Sequence, residues 1–261
     1  MEYNKLYHSD CRKILKTKIL SNSVNLVFAD PPYNLSGNNL FLIGNRTGGD
    51  FKKVNERWDI MGYDEYFKFT NEWINLCKNV LVDNGAIYIS CSFHNLGEII
   101  VNLKQNQFVI KNIITWKKTN SMPSITKRTF THSTEFIVWA VKGNNWVFNY
   151  EEIKNINPER TQEGQKKQMR DVWEIPIVQG KERLKNENNE TLHSTQKPEE
   201  LLKRIIIASS NKNDIVLDPF AGSGTTLIAA KKLNRRWIGI EKEKIYIEAI
   251  KKRLIHTLPL K

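Results

Sequence analysis

The chain has 261 residues, enough for one sizeable core with a small insertion, and its 40% hydrophobic content is that of an ordinary globular protein. No apolar run reaches the roughly 18 residues of a membrane span, and the polar first ten residues lack the apolar stretch of a secretory signal, so a cytoplasmic protein is expected. Three dispersed cysteines argue against a disulfide framework or a zinc site, while a net charge of +12 favours a polyanionic partner such as nucleic acid or reflects a Lys- and Asn-rich composition.

In chain order, short apolar runs predict strands at 5–8, 24–29, 86–90, 108–116, 135–141, 215–217 and 237–240. Helical patterns predict helices at 63–81, 96–105, 198–209, 225–233 and 244–254, with Pro198 suited to a first helical turn. Strands alternating with helices predict an α/β fold, a doubly wound and mostly parallel sheet with helices on both faces. The runs 108–116 and 135–141 have no helix between them and predict one antiparallel pair. Two irregular stretches stand out. Residues 34–59 carry several Gly and Asn and are expected to be mobile without a ligand. The polar stretch of about 155–196 includes an exposed loop at 185–190. The expected organisation is one domain, 1–261, with an inserted region at 145–196.

Ligands of such sheets sit at the carboxyl ends of the strands, so the strand ends are where chemistry is expected. The strand 24–29 ends in Asp30-Pro31-Pro32-Tyr33. Consecutive prolines stiffen the turn and remove two amide donors, leaving an acid, a carbonyl and an aromatic ring directed into one space. A plain strand-ending turn is the alternative. The strand 215–217 ends in Asp218-Pro219-Phe220-Ala221-Gly222-Ser223-Gly224-Thr225-Thr226 and opens a helix. Its glycines allow close backbone approach to a ligand, and the helix start offers free amides. The next strand ends in Glu241, placed where a nucleotide-binding unit carries its ribose-gripping acid, or where an acid simply caps a helix.

The DPPY tetrapeptide with FAGSGTT far downstream resembles the amino-methyltransferases of DNA, and the order of the two motifs is similar to that of their beta class. Tyr7–Cys11, Gly85–Ser90 and Gln196–Pro198 also fall where that family carries motifs. The resemblance covers nearly the whole chain. It implies a Rossmann-like methyltransferase sheet with a circularly permuted motif order, and S-adenosylmethionine as cofactor with no metal. Asp30, Pro31, Pro32 and Tyr33 would be catalytic. Phe220, Ala221, Gly222, Ser223, Gly224 and Thr225 would cradle the methionine part, with Asp218, Thr226 and Asp30 bordering it. Glu241 would hold the ribose, Asp10 and Cys11 would border the adenine, and Lys197 would approach the cofactor carboxylate. Asp10 otherwise reads as an N-cap. The region 145–196 would carry target recognition, and a homodimer and a restriction endonuclease of the same system are implied partners.

An exocyclic base amine is a poor nucleophile because its lone pair is delocalised. The Asp30 carboxylate and Pro31 carbonyl, accepting its hydrogens, would pyramidalise the nitrogen and stabilise its developing positive charge. The base must be extruded or single-stranded to reach such a site, and Tyr33 offers it a stacking face unless it is simply a packed loop residue. Between Lys104 and Lys142 seven cations accompany one acid, Glu135. From that stretch Trp116, Lys117, Lys118, Asn120, Lys127 and Arg128, with Lys167 and Arg170 downstream, are the expected DNA contacts, or else a solvated face. The expected reaction is N6-methylation of adenine in DNA. The alternatives are N4-methylation of cytosine, whose enzymes more often begin the tetrapeptide with Ser, methylation of RNA or protein, and a non-enzymatic DNA-binding module. Stretches such as His193–Glu199 are similar to Dpn-type enzymes of GATC sites.

Overall fold

Val24–Ala29, strand β2, is apolar on both sides, with Leu26 and Phe28 packed into one core and Val27 and Ala29 into the other. A strand buried on both faces belongs in the middle of a largely parallel sheet. The computed structural model describes residues 1–34, 61–124 and 127–259 and places it there. In chain order the elements are β1 (Lys5–His8), α1 (Cys11–Thr17), β2, α2 (Tyr63–Val80), β3 (Leu81–Cys91), α3 (Leu96–Gln105), β4 (Val109–Lys117) and β5 (Thr134–Val141). There follow α4 (Tyr150–Ile156), β6 (Val172–Glu174), α5 (Glu199–Ser209), β7 (Ile215–Asp218), α6 (Thr225–Lys232), β8 (Arg236–Glu241) and α7 (Lys244–Ile255).

The strands form one sheet in the order β1-β8-β7-β2-β3-β5-β4-β6. Strand β5 is antiparallel to both β3 and β4, and every other neighbouring pair is parallel. The expected antiparallel pair is therefore present, and β5 is the reversed member. The buried residues of α1, α2 and α3 pack with one sheet face, and those of α5, α6 and α7 with the other. Crossovers run one way from β2 to β3 and the other way from β7 to β8, so the switch in direction falls between β7 and β2. A crevice opens at such a point, outside the carboxyl ends of the strands. The two strands that end in Asp30 and Asp218 are thus neighbours in space although far apart in sequence.

Four local features depart from the sequence reading. Strand β3 starts at Leu81, directly after α2, and not at residue 86. Val82-Asp83-Asn84-Gly85 has turn-like composition, but it forms an irregularity in the pairing, where register shifts between Val24 opposite Leu81 and Leu26 opposite Ala86. A Cβ on Gly85 would sit 2.9 Å from the Val82 carbonyl oxygen, so the kink requires glycine there. Pro198 is the residue before α5, in extended backbone, and not its first turn. Helix α4, at the start of the inserted region 145–196, and the three-residue β6, inside the stretch read as irregular, are unexpected from the sequence; each buries one apolar side chain, Ile153 or Trp173, too little for a periodic signal. The expected mobility of 34–59 concerns a stretch that, apart from Asn34, lies outside the described residues. No described helix is long and apolar enough to cross a membrane.

Trp73 of α2 is fully buried and meets the Phe220 ring edge-on at 5.3 Å and 85°, so the helix layer supports the turn after β7 directly. Trp73→Ala should cost about 3–5 kcal/mol in urea unfolding. The indole Nε1 is buried without a hydrogen-bond partner among the described residues, so Trp73→Phe loses no bond and should retain most of that stability.

Candidate active site

A cavity of about 990 Å³ opens at the carboxyl ends of β7 and β2. Its walls include Asp10 and Cys11 at the start of α1, the Asp30–Tyr33 turn, the glycine turn before α6, and Glu241. The volume is that of a pocket for a drug-sized ligand.

The glycine turn is held from three sides. Asp218 is buried, and its carboxylate accepts the Phe220 amide at 3.0 Å. Glu241 accepts the Gly222 amide at 2.7 Å with one oxygen and the Lys242 and Glu243 amides at 2.8 Å with the other. Phe220 rests on Trp73 and Phe69. Gly222 and Gly224 have φ of 50° and 77°, the left-handed region that favours glycine. Added Cβ atoms would meet His193 Nε2 at 2.7 Å and Ile250 Cγ1 at 2.8 Å. Glycine is therefore demanded here by the turn and its packing as well as by any ligand.

Asp10 and Cys11 line the same cavity. Asp10 is also the N-cap of α1, accepting the Arg12 amide at 2.8 Å and pairing with its guanidinium at 2.9 Å. The two readings of Asp10 are compatible, because one carboxylate serves both places. Burial pushes the Cys11 thiol up to about 12, which leaves it a neutral wall.

The Asp30–Tyr33 turn, on the adjacent strand, is pinned by a relay. The Pro32 carbonyl accepts from the Tyr66 hydroxyl at 3.1 Å, and Asn95 donates to that hydroxyl at 2.9 Å. Asp30 is gripped on both oxygens. Tyr33 donates to Oδ1 at 2.8 Å, and Lys197 Nζ lies 2.7 Å from Oδ2. Ser90, at the end of β3, meets the Tyr33 hydroxyl at 2.7 Å. Glu135, at the start of the reversed β5, lies 3.6 Å from Lys197 and 2.5 Å from Lys118. Burial raises the Asp30 carboxyl above its ordinary value, and the Lys197 ammonium offsets this only in part. Burial also acts on Glu135, but Lys197 and Lys118 outweigh it and hold that carboxyl below the ordinary range. Burial disfavours the Lys197 ammonium, yet the carboxylates of Asp30 and Glu135 outweigh it and keep the lysine charged.

Three expected DNA contacts are redirected by these positions. Trp116 is buried and donates Nε1 to the Ile175 carbonyl at 2.7 Å. Asn120 exchanges two hydrogen bonds with the backbone of Ile177. Both fasten the strand after Asp171 to the sheet. Lys118 is turned inward onto Glu135. Nor do the cations of 104–142 form one face, since Lys142 binds Asn22 and the Leu81 carbonyl at the opposite edge of the sheet and Lys111 lies over Trp146. Lys127, Arg128 and Arg170 are exposed, Lys117 is exposed but paired with Glu174, and Lys167 is half-buried. Lys197 meets Asp30 and Glu135, at the Asp30 end of the cavity.

Glu135, Ser90 and His193 belong to the site although the sequence alone assigned them no role in it. Glu135 could be found only by knowing that β5 is reversed. His193 lines the cavity, packs at a 53° tilt against Tyr246 with ring centroids 4.7 Å apart, and has an Nδ1 without a partner among the described residues. Burial, with the cations of Lys197, Arg183 and Arg253, lowers it to about 4, so the ring is neutral near pH 7.

Burial pushes the Asp218 carboxyl up to about 7, against the opposing Thr226 and Phe220 hydrogen bonds. An acid raised on folding favours the fold while it is neutral; that contribution is complete below its ordinary 3.8 and fades as the pH rises to about 7. Against Asp218→Asn, the wild-type Tm should therefore fall steadily between those limits and run parallel above them, by scanning calorimetry. At roughly 2–4 °C per kcal/mol for a chain of this size the divergence is measurable. A constant gap across that range would contradict the assignment.

A family model described as DNA methylase matches residues 24–252, which include both strand-end turns. The Type II methyltransferase M2.DpnII of Streptococcus pneumoniae is 43% identical over 261 residues, covering 97% of this chain and 91% of the relative. The Type II methyltransferase M.HinfI of Haemophilus influenzae is 40% identical over 260 residues, covering 98% and 69%. Among solved structures, the M1.HpyAVI–SAM complex shares 34% identity with a TM-score of 0.68, covering 96% of this chain and 98% of that one. The cytosine-N4-specific PvuII DNA methyltransferase is 16% identical with a TM-score of 0.72, covering 97% and 86%, a likeness of fold alone. With the Asp30 turn and the glycine turn side by side on adjacent strands, and similarity running through both, the chain belongs to the N6/N4 DNA methylase family.

Proposed function

We propose that the protein methylates the N6 amine of adenine in DNA with S-adenosylmethionine. The observation that carries this is the rigid Asp30–Tyr33 turn, facing a ligand-sized cavity that the glycine turn on the adjacent strand also lines. The cavity suits an adenosyl amino acid: an apolar ring in Phe220, carboxylates in Asp10 and Glu241, a tight amide turn at Gly222, and an unpartnered imidazole nitrogen in His193. Phe220 through Thr225 would cradle the amino-acid portion, with Asp218 and Thr226 setting the turn from behind. Glu241 would take the ribose, and Asp10 and Cys11 would border the adenine ring. The bound cofactor supplies an electrophilic methyl on a sulfonium.

The chain's own work is to position the acceptor amine. Asp30 and the Pro31 carbonyl accept its hydrogens, direct its lone pair and stabilise its developing charge. The Pro32 carbonyl is already tied to Tyr66, which keeps the turn from relaxing. Tyr33 provides a stacking face for an extruded base, worth roughly 1–3 kcal/mol. Asp at position 30 supports adenine over cytosine. Lys127, Arg128, Lys167 and Arg170 are the proposed phosphate contacts, and Phe130, 97% exposed on the same hairpin as the first two, is a proposed apolar contact to a base or sugar. Residues 145–196 are the proposed target-recognition region. The names of the Type II relatives support a paired endonuclease.

Asp30→Ala should abolish methyl transfer from labelled S-adenosylmethionine to DNA while leaving DNA affinity near that of the wild type, by gel shift. Turnover like that of the wild type would overturn the mechanism. Label entering only RNA or protein, across many DNA sequences tested, would overturn the substrate class.

A further inference from the structure

Asp30 is assigned to accept an amine, and each of its oxygens already carries one donor. Tyr33 occupies Oδ1 at 2.8 Å and Lys197 occupies Oδ2 at 2.7 Å. Each oxygen keeps a second lone pair that an amine can use, but the amine gains positive charge beside the Lys197 ammonium, so the ammonium's grip on Asp30 opposes the reaction unless it loosens. Moving Lys197 alone into apolar surroundings would strand a buried charge, which is strongly unfavourable. A second acceptor is within reach. Glu135 Oε2 lies 3.6 Å from Lys197 Nζ and 3.5 Å from the Tyr33 hydroxyl. Both distances are too long for good bonds, so this oxygen is only loosely engaged by the two groups that hold Asp30. The other oxygen, Oε1, is firmly bound to Lys118 at 2.5 Å.

We propose that Glu135 is a positioning residue that receives Lys197 when Asp30 accepts the substrate amine. A shift of about 1 Å would bring the ammonium to the 2.7–2.9 Å of a charge-assisted bond. The cluster pairs two carboxylates, Asp30 and Glu135, with two ammoniums, Lys197 and Lys118, and stays neutral whichever acid Lys197 favours. Handing the lysine over therefore costs no new buried charge. Lys118 keeps Glu135 ionised, and Ser90 offers the Tyr33 hydroxyl a partner as its bond to Asp30 loosens. With Glu135 neutral, Lys197 has one carboxylate left to hold, and Asp30 remains capped.

This inference rests on the proposed function, in which Asp30 binds an amine. The test compares single-turnover methyl transfer to DNA by the wild type, Glu135→Gln and Glu135→Asp at saturating S-adenosylmethionine. Glu135→Gln should slow the step by at least about tenfold with little change in KM, the pattern of a group acting after binding. Glu135→Asp keeps the charge and should recover most of the rate. A readout independent of turnover is the carboxyl ¹³C titration of Asp30 in ligand-free protein. The charged and titratable groups around that carboxyl are Lys197 before α5, Glu135 on β5 with Lys118 behind it, Tyr33 on its own turn, Cys91 on β3 and Asp218 on β7. Removing the Glu135 charge should move the titration to lower pH. A Glu135→Gln rate within about twofold of the wild type would overturn the inference while leaving the proposed function standing. So would a Glu135→Asp rate as low as that of Glu135→Gln, or an unmoved titration. A wild-type chain that transfers no methyl to DNA would instead remove the reading beneath it.

Discussion

A carboxylate that must act inside a protein needs a cation beside it, and Lys197 is that cation for Asp30. The two side chains are 6% and 16% exposed, and their atoms are 2.7 Å apart. Burial raises the Asp30 carboxyl and so favours its protonated form, a weaker acceptor for an amine, and Lys197 opposes that shift. Removing the cation of such a pair typically costs about 3–5 kcal/mol, because the carboxylate is left charged without it. The pair also joins distant parts of the chain, since Asp30 ends β2 and Lys197 leads into α5 on the opposite face of the sheet. Pro198 follows the lysine in extended backbone and starts the helix there, which fixes where the ammonium can reach.

The reversed strand completes the cluster. In a wholly parallel sheet the start of a strand lies at the edge away from the ligand. Because β5 runs backwards, its first residues fall at the active edge, and Glu135 enters beside Asp30 with Lys118 from the end of β4. The glycine turn is built on a different principle. Backbone amides of Phe220 and Gly222 are held by the carboxylates of Asp218 and Glu241, while Trp73 and Phe69 support the Phe220 ring. The Asp30 turn is thus organised by paired charges and the glycine turn beside it by amides and aromatic packing, as suits an amine acceptor and an adenosyl group in turn.

Much of this was legible from residue order. Strands β1 and β2 and helix α3 have the predicted bounds, because their apolar periodicity is undisturbed. The Asp30 and Asp218 turns could be found because strand ends in alternating α/β chains are where ligands bind. Position within the sheet was harder to read. Lys118 and Trp116 look like surface groups in a basic stretch, but strand pairing decides that one faces Glu135 and the other packs under Ile175. Glu135 looked like the lone acid among cations and proves to be their counter-charge. Lys142, from the same stretch, serves the far edge of the sheet. Charge counts along a chain carry no information about which edge each residue reaches.

The central claim is that Asp30 and its turn present an exocyclic adenine amine to a methyl donor. Its most direct measurement is digestion of DNA methylated by the purified protein to nucleosides, followed by chromatography with mass detection. N6-methyladenine is the expected modified nucleoside. N4-methylcytosine without N6-methyladenine would contradict the choice of base, and methyl on a ring carbon of cytosine would contradict the amine chemistry itself.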